Sequence, residues 1–477
     1  MVGISAFAFA LRLVPTWKKR WFGNDSYYHL LVSRSWRTQH KYPRTDPNLL
    51  PTNANTYPPL LQVFVRPFAS INDRWATMFI SPLFDTITVI LLFIAGDWIH
   101  ISQPLLPPLI YAVSANNLLD ASTLNPRSLG NMLLAGAALA LLDFSESGSL
   151  VVYAVLALME ALVLLSHKLS VQVLVPLVVI VSFVMVFDPT NPERSMPMLL
   201  SLPLAVLVAT ALTGGAYIRK ILPDHIHYIA VHFRHGEYRT GTRKVPSPVN
   251  LFKSNPIAFI APFLGFYLYF TQEEYSSVPN LLYGLWLPWS TLTLVLGQFW
   301  VWGDSWRYLQ IGTFPGSIVM VEFITTYAPT QNEAVLALAI VIICLAIIAY
   351  FQVKNAMGRD IGAKIAATLE SLPREWKAKL AGAKIYSNVQ HYIVPYLTES
   401  SSLQGSPSSA GMEQSFRAAG LVKTSFREIG AYARSTKTSL DYFLIFKEFP
   451  MPTSDGYRQV YDSERLAIYE IVTAQPA

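Results

Sequence analysis

Five consecutive residues, Asp25-Ser26-Tyr27-Tyr28-His29, place a carboxylate, two phenols and an imidazole just beyond the first apolar stretch of the chain. A carboxylate there can take a proton from a hydroxyl nucleophile or ligate a hard divalent cation. Partial desolvation at a membrane boundary raises its proton affinity toward a working range. Tyr28 and His29 can orient a substrate hydroxyl or a phosphate. Asp25 also reads as the N-cap of a helix over 26–38, since aspartate is favoured there. Further along, "NPRSLG" sets Arg127 at the start of an apolar segment, suited to a phosphate oxygen. "LLSHKLS" puts His167 and Lys168 between two such segments, as phosphate donors or as residues snorkelling to headgroups.

The elements that position these groups are membrane helices by composition. Of 477 residues, 52% are hydrophobic and 14% charged, against about 25% charged in a soluble domain. The one cysteine, Cys344, lies in an apolar run and excludes a disulfide framework or a cysteine-based metal cluster. Nothing at the N-terminus reads as a cleavable signal peptide. Apolar windows recur near 2–15, 76–96, 104–119, 128–143, 149–165, 169–187, 196–213, 255–271, 281–301, 308–324 and 334–351, about eleven helical spans. Asp85 and Glu160 fall inside two of them and read as structural.

Three polar regions interrupt the pattern. The first, 16–75, carries two short helices, after Asp25 and after Pro59. The second, 214–254, holds seven Lys/Arg and four of the nine histidines. Within it Ile218, Leu222, Ile226, Ile229 and Phe233 share a face opposite basic residues, the pattern of a helix lying in the membrane interface. His225, His232 and His235 on that helix give a metal-binding alternative. The third region, 352–477, has soluble composition and reads as a small α/β domain, with strands in "AKIYSNVQHYIVPYL", "DYFLIFKEF" and "ERLAIYEIV".

"NDSYYHLLVSRSW", "KYPRTDP" and "TYPPLLQVFV", all in the first loop, resemble the corresponding loop of GT-C membrane glycosyltransferases. These include protein O-mannosyltransferases, lipid A aminoarabinose transferases and the catalytic subunit of oligosaccharyltransferases. The resemblance implies a polytopic helical module followed by a soluble domain, and Asp25 as the catalytic or metal-binding carboxylate. It implies a second acid at Asp120, a possible divalent cation such as Mg or Mn on Asp25 and Asp120, and donor phosphate held by Arg307 of "DSWRYLQIGTFPG" with Tyr308 beside it. Asp304 can instead pair with Arg307. The implied reaction transfers a sugar from a polyprenyl-phosphate or polyprenyl-pyrophosphate donor to a glycan, lipid or protein acceptor, with inversion and no nucleic-acid partner. The Trp-Trp-Asp acceptor signature of oligosaccharyltransferases and the doubled acid of O-mannosyltransferases are both absent. Transfer of a whole glycan to protein, and transport or flipping of a lipid-linked intermediate, are the alternatives. The resemblance places the active loops on the extracytoplasmic face of a plasma or internal membrane, whereas the Lys/Arg bias would place them in the cytoplasm.

Overall fold

The computed structural model describes residues 1–187, 191–240, 247–271, 281–298, 305–405, 407–411, 425–453 and 457–471. Helices lie over all of the apolar windows. They are α1 (Val2–Lys18), α4 (Asp73–Trp98), α5 (Leu106–Ala112) with α6 (Ala115–Ala121), and α7 (Pro126–Ser147). Next come α8 (Leu150–Leu164), α9 (Lys168–Met185), α10 (Ser195–Leu212), α13 (Pro256–Thr271), α14 (Leu281–Gln298), α15 (Ser305–Tyr327) and α16 (Gln331–Arg359). Among the described residues, five helices are long and apolar enough to cross a membrane: Asp73–Trp98, Pro126–Ser147, Lys168–Met185, Pro192–Leu212 and Gln331–Glu370. A sixth is reached if α12 (Pro248–Ser254) and α13, which meet at 110°, count as one. The window at 104–119 is not one helix. After Ala112 the chain passes through Ser114 in extended conformation, and α5 and α6 are seven residues each.

Two helices of the first loop, α2 (Asn24–Gln39) and the amphipathic α3 (Leu60–Ile71), pack on one another and lead into α4. In the basic region a wide turn at Tyr217–Ile221 opens into α11 (Leu222–Thr240). Ile218 and Ile226 on its apolar face are exposed, while Asp224 and His225 turn inward, and His225 is buried. Asp85 has the partner that the sequence does not reveal. Arg12 of α1, fully buried, pairs with it, and Tyr111 donates a hydrogen bond to its other oxygen at 2.8 Å. Breaking such a buried pair leaves an uncompensated charge and costs about 3–5 kcal/mol. Glu160 accepts from Ser201 at 2.9 Å, tying α8 to α10.

Beyond α16 come α17 (Gly362–Glu370), α18 (Arg374–Leu380), β2 (Lys384–Ser387), α19 (Ile393–Thr398), β3 (Ser401–Leu403), α20 (Phe426–Ser435), β4 (Tyr442–Phe446), β5 (Tyr457–Asp462) and β6 (Leu466–Ile471). Of the segment read as one strand, 384–387 is strand and 393–398 is helix. With β1 (Leu49–Leu50), the strands form one sheet in the order β1-β3-β2-β4-β6-β5. Its edge strand β1 comes from the first loop and pairs in parallel with Ser402–Leu403. Pleating divides the side chains. Ile385 and Leu444 join the core continuous with the helical bundle, whereas Tyr386, Phe443 and Ile445 pack under α20 with Phe426 and Ile429.

Candidate active site

The junction between α1 and α2 has the geometry of a fitted corner. Gly23 sits at φ +90°, and a Cβ there would lie 2.5 Å from Thr123 Cγ2. Only glycine tolerates both the conformation and the approach. It also serves as the N-cap of α2, so Asp25 falls in the first turn rather than at the cap, and its side chain is released to face elsewhere. The next residue, Ser26, is buried and its Oγ accepts from the backbone N–H of Leu124 at 3.0 Å. On the facing turn, Asn125 caps α7 by accepting from Arg127 N at 2.9 Å, and its amide donates to the carbonyl of Asp120 at 2.6 Å. Two rigid turns therefore hold Asp25, Asp120 and Arg127 together.

Arg127 bridges the two acids. Its Nη2 lies 3.2 Å from Asp25 Oδ2 and its Nη1 2.5 Å from Asp120 Oδ1. The side chains differ in exposure: 49% for Asp25, 14% for Asp120 and 11% for Arg127. Burial raises the pKa of Asp120 above its ordinary value, against the opposing fields of Arg127 and Arg307. The field of Arg307, from the start of α15, thus reaches the same acid. Asp120 Oδ2 is buried and meets no hydrogen-bond donor among the described residues. One carboxylate is open to solvent, and the other is enclosed and cation-bound.

Behind them stands an aromatic and imidazole wall. His29 is buried and its Nδ1 lies 2.9 Å from Gln62 Nε2 on α3. Burial lowers its pKa to about 4, with Asp25 opposing and Arg127 adding to the shift. It is neutral near pH 7, and an amide donor at Nδ1 leaves the ring proton on Nε2. Tyr57 packs edge-on to both Tyr28 and His29, at 6.1 and 5.8 Å between ring centres. Tyr28 is buried and donates to Asp46 at 2.8 Å, which turns its hydroxyl away from Asp25 and into the first loop. His167, just before α9, is buried, and its pKa is pushed down by burial and by the neighbouring Arg127 and Arg307. A neutral imidazole beside two guanidiniums adds hydrogen bonding without more charge.

Asp25 Oδ1 and the spare oxygen of Asp120 are hard donors of the kind a divalent ion takes together with water or phosphate oxygens, while Arg127 already engages one oxygen of each acid. Among the described residues there is no group of three or more His, Cys, Asp or Glu side chains placed to hold a metal. Any ion would therefore draw further ligands from a substrate.

No protein-family model matches this sequence, and no curated protein matches it either. Solved structures do. ArnT from Cupriavidus metallidurans bound to undecaprenyl phosphate aligns over 100% of this chain and 99% of its own, with TM-score 0.60 at 12% identity. The archaeal oligosaccharyltransferase AglB from Archaeoglobus fulgidus, in complex with an inhibitory peptide and a dolichol-phosphate, aligns over 93% of this chain and 68% of its own, with TM-score 0.62 at 11% identity. The arabinofuranosyltransferase AftD from Mycobacteria aligns over 98% of this chain and 40% of its own, with TM-score 0.54 at 12% identity. All three are GT-C glycosyltransferases. This chain has the GT-C fold.

Within the GT-C fold the remaining candidate residues form a second cluster at the N-terminal end of α9. Lys168 is buried and its Nζ lies 2.7 Å from Asp224 Oδ2 of α11 and 4.3 Å from the Tyr228 ring centre. Asp224 Oδ1 accepts from Ser409 N and Oγ at 3.0 and 2.6 Å. A loop after β3 is thereby clasped onto the basic helix. Tyr308 is buried and donates to Gln172, whose amide nitrogen lies 3.2 Å from His225 Nε2. His225 is thus held within this buried chain; the side chains of His232 and His235, the other two of that trio, lie outside the described residues, as does Asp304. Asp224, Gln62 and Gln172 were missed by sequence reading. The one available signal was Asp224 itself, the sole acid in "RKILPDHIHYIAVHFRH".

Proposed function

We propose that this protein is an integral membrane glycosyltransferase that moves a sugar from a polyprenyl-phosphate or polyprenyl-pyrophosphate donor to an acceptor hydroxyl. The observation that carries the reading is the Asp25–Arg127–Asp120 bridge, with its open carboxylate and its cations at the ends of apolar helices. Asp25 takes the proton of the acceptor hydroxyl. The acceptor oxygen forms its bond to the anomeric carbon as the carbon–phosphate oxygen bond breaks, and the bonding pair leaves with the phosphate. A single displacement inverts the anomeric centre. Arg307 and Arg127 stabilise the charge growing on the departing phosphate. Asp120 keeps Arg127 aimed, His167 and His29 orient oxygens, and Lys168 and Tyr308 line the donor side through their clasp and hydrogen-bond chain. A Mg or Mn ion, if recruited, would sit on Asp25 and Asp120 and neutralise phosphate charge.

Support for the donor class comes from the undecaprenyl phosphate of the ArnT structure and the dolichol-phosphate of the AglB structure. The reading includes about eleven spans in a catalytic module over 1–351, in which 16–75 is the first catalytic loop and 214–254 the basic interfacial loop. A soluble α/β domain follows over 352–477. The active loops and this domain lie on the extracytoplasmic face, where the acceptor is a glycan, lipid or protein of the cell envelope.

The test supplies membranes containing the protein with radiolabelled polyprenyl-linked sugars and follows label leaving the lipid. Release to an acceptor by wild type and its loss in Asp25→Asn is the expected result. Equal release by both would remove Asp25 from the chemistry.

A further inference from the structure

The site above leaves one built feature unused. A cavity of about 440 Å³ opens between α1, the α5–α6 pair and α16. Its walls follow helical spacing. Phe7, Leu11, Val14 and Lys18 form one stripe of α1 at steps of four, three and four residues. Ala346, Ala349, Tyr350, Val353, Lys354 and Met357 form the facing stripe of α16. Such spacing sets residues on a single face. Two alanines at the α16 end of the stripe supply the hollow. The α1 wall runs from Phe7 to Lys18, roughly 16 Å at the helical rise.

Charge is confined to one end. Both stripes become cationic at the same level, Lys18 on α1 and Lys354 on α16, and both lysines are exposed. Neither is in an ion pair with a carboxylate among the described residues; Lys354 has only the Tyr350 ring at 6.0 Å. Lys19 is engaged separately, on the carbonyl of Met357. Exposed Trp17 beside Lys18 marks this level as the membrane interface, where indole rings settle. An apolar slot below paired cations at that depth matches one class of ligand: a lipid chain under an anionic headgroup, a form that a glycerophospholipid and a polyprenyl phosphate share.

We infer that this groove binds an anionic glycerophospholipid of the surrounding bilayer, its phosphate on Lys18 and Lys354 and an acyl chain along the α1–α16 slot. The site differs from that of the sugar donor because α6 stands between them. Leu118 lines the groove, whereas Asp120 meets Arg127. Two residues along a helix are about 200° apart, on opposite faces. A lipid in the groove therefore backs the short helix that carries Asp120. The assignment stands without the transferase reading, because it needs only the groove and its cations.

The experiment is native mass spectrometry of the whole protein taken from detergent into mixed micelles. One arm contains phosphatidylglycerol, one phosphatidylcholine of the same chains, and one undecaprenyl phosphate competing with phosphatidylglycerol. Wild type is expected to retain phosphatidylglycerol at least five-fold over phosphatidylcholine. Lys18→Gln/Lys354→Gln is expected to abolish that preference. Ala349→Trp, which fills the slot and leaves both lysines, is expected to reduce retention of either lipid. Equal retention of the two phospholipids by wild type, or undiminished phosphatidylglycerol on the double variant, overturns the assignment. Displacement of phosphatidylglycerol by undecaprenyl phosphate in stoichiometric amounts also overturns it and makes the groove a carrier site.

Discussion

Arg127 holds one enclosed carboxylate and one open to solvent, and a double-mutant cycle separates them. Arg127→Met keeps the length of the stem and removes the charge. Asp120, 14% exposed, then loses a partner at 2.5 Å, with its second oxygen already without a donor. Losing one member of a buried pair costs about 3–5 kcal/mol. Asp25, 49% exposed and 3.2 Å away, is screened by water and contributes no more than about 1 kcal/mol. The expected order of stability loss is therefore Arg127→Met well above Asp25→Asn. The Arg127→Met/Asp120→Asn double variant should recover much of the loss, because the stranded charge is gone, with a coupling of about 2 kcal/mol. The loss in Arg127→Met should shrink as pH falls, since Asp120, already raised above its ordinary pKa, takes up a proton and ceases to be a buried charge. Denaturant unfolding in mild detergent at two pH values measures all five proteins: wild type, Asp25→Asn, Asp120→Asn, Arg127→Met and the double variant. Additivity within about 0.5 kcal/mol, or equal losses for Asp25→Asn and Arg127→Met, would refute the assignment of Asp120 as the enclosed partner.

Three further outcomes follow from the same geometry. His29, His225 and His391 are buried, and burial pushes each from its ordinary 6.5 down to about 4. The unfolded chain protonates first, so stability is intact above pH 6.5 and declines toward pH 4, by on the order of 3 kcal/mol per histidine. Unfolding midpoints measured across that range should fall, and the fall should lessen in His391→Gln. Gly23→Ala should destabilise by about 2 kcal/mol or more through positive φ and the clash with Thr123; Gly23→Ala/Thr123→Ser, which removes the clashing methyl, should recover part of it in the same assay. Asp224→Asn strands Lys168 against an aromatic ring and weakens the Ser409 contact to an uncharged acceptor, costing about 3–5 kcal/mol, whereas Asp224→Asn/Lys168→Met should cost less. Limited proteolysis after residue 405 reports the opened clasp.

The residues of the candidate site were legible because they sit where an apolar chain has few reasons to be polar. Asp25, Arg127 and Arg307 stand at helix entrances and Asp120 at a helix exit, and the turn chemistry around them, Gly23 and Asn125 above all, is local. What sequence could not supply were pairings made at long range. Arg12 and Asp85 are 73 positions apart, and nothing in either neighbourhood names the other. The reading of Asp25 as a helix cap missed by two residues, because Gly23 at positive φ took the cap and set Asp25 in the first turn, where it meets Arg127. The window at 104–119 had the hydropathy of a span, yet an extended Ser114 interrupts its backbone and sets Asp120 on a separate short helix. Lys168 looked like an open phosphate donor because Asp224, from another polar region, is the group that meets it.

The strand borrowed from the first loop has a consequence for the timing of biosynthesis. Asn48, next to β1, donates to the carbonyl of Ser400, and the two are 352 positions apart. Asn24, beside Asp25, accepts from the backbone of Tyr392, 368 positions later. Ribosomes add roughly 5–20 residues per second, so the loop bearing Asp25 waits on the order of 20 to 70 seconds for its last partners. Throughout that interval the helices that follow are being inserted beside a half-made pocket. Until the tail is made, the loop bearing Asp25 lacks both its strand partner and its contact with Tyr392, and a chain cut short before residue 390 keeps Asp25 and Asp120 without the contacts that fix their loop.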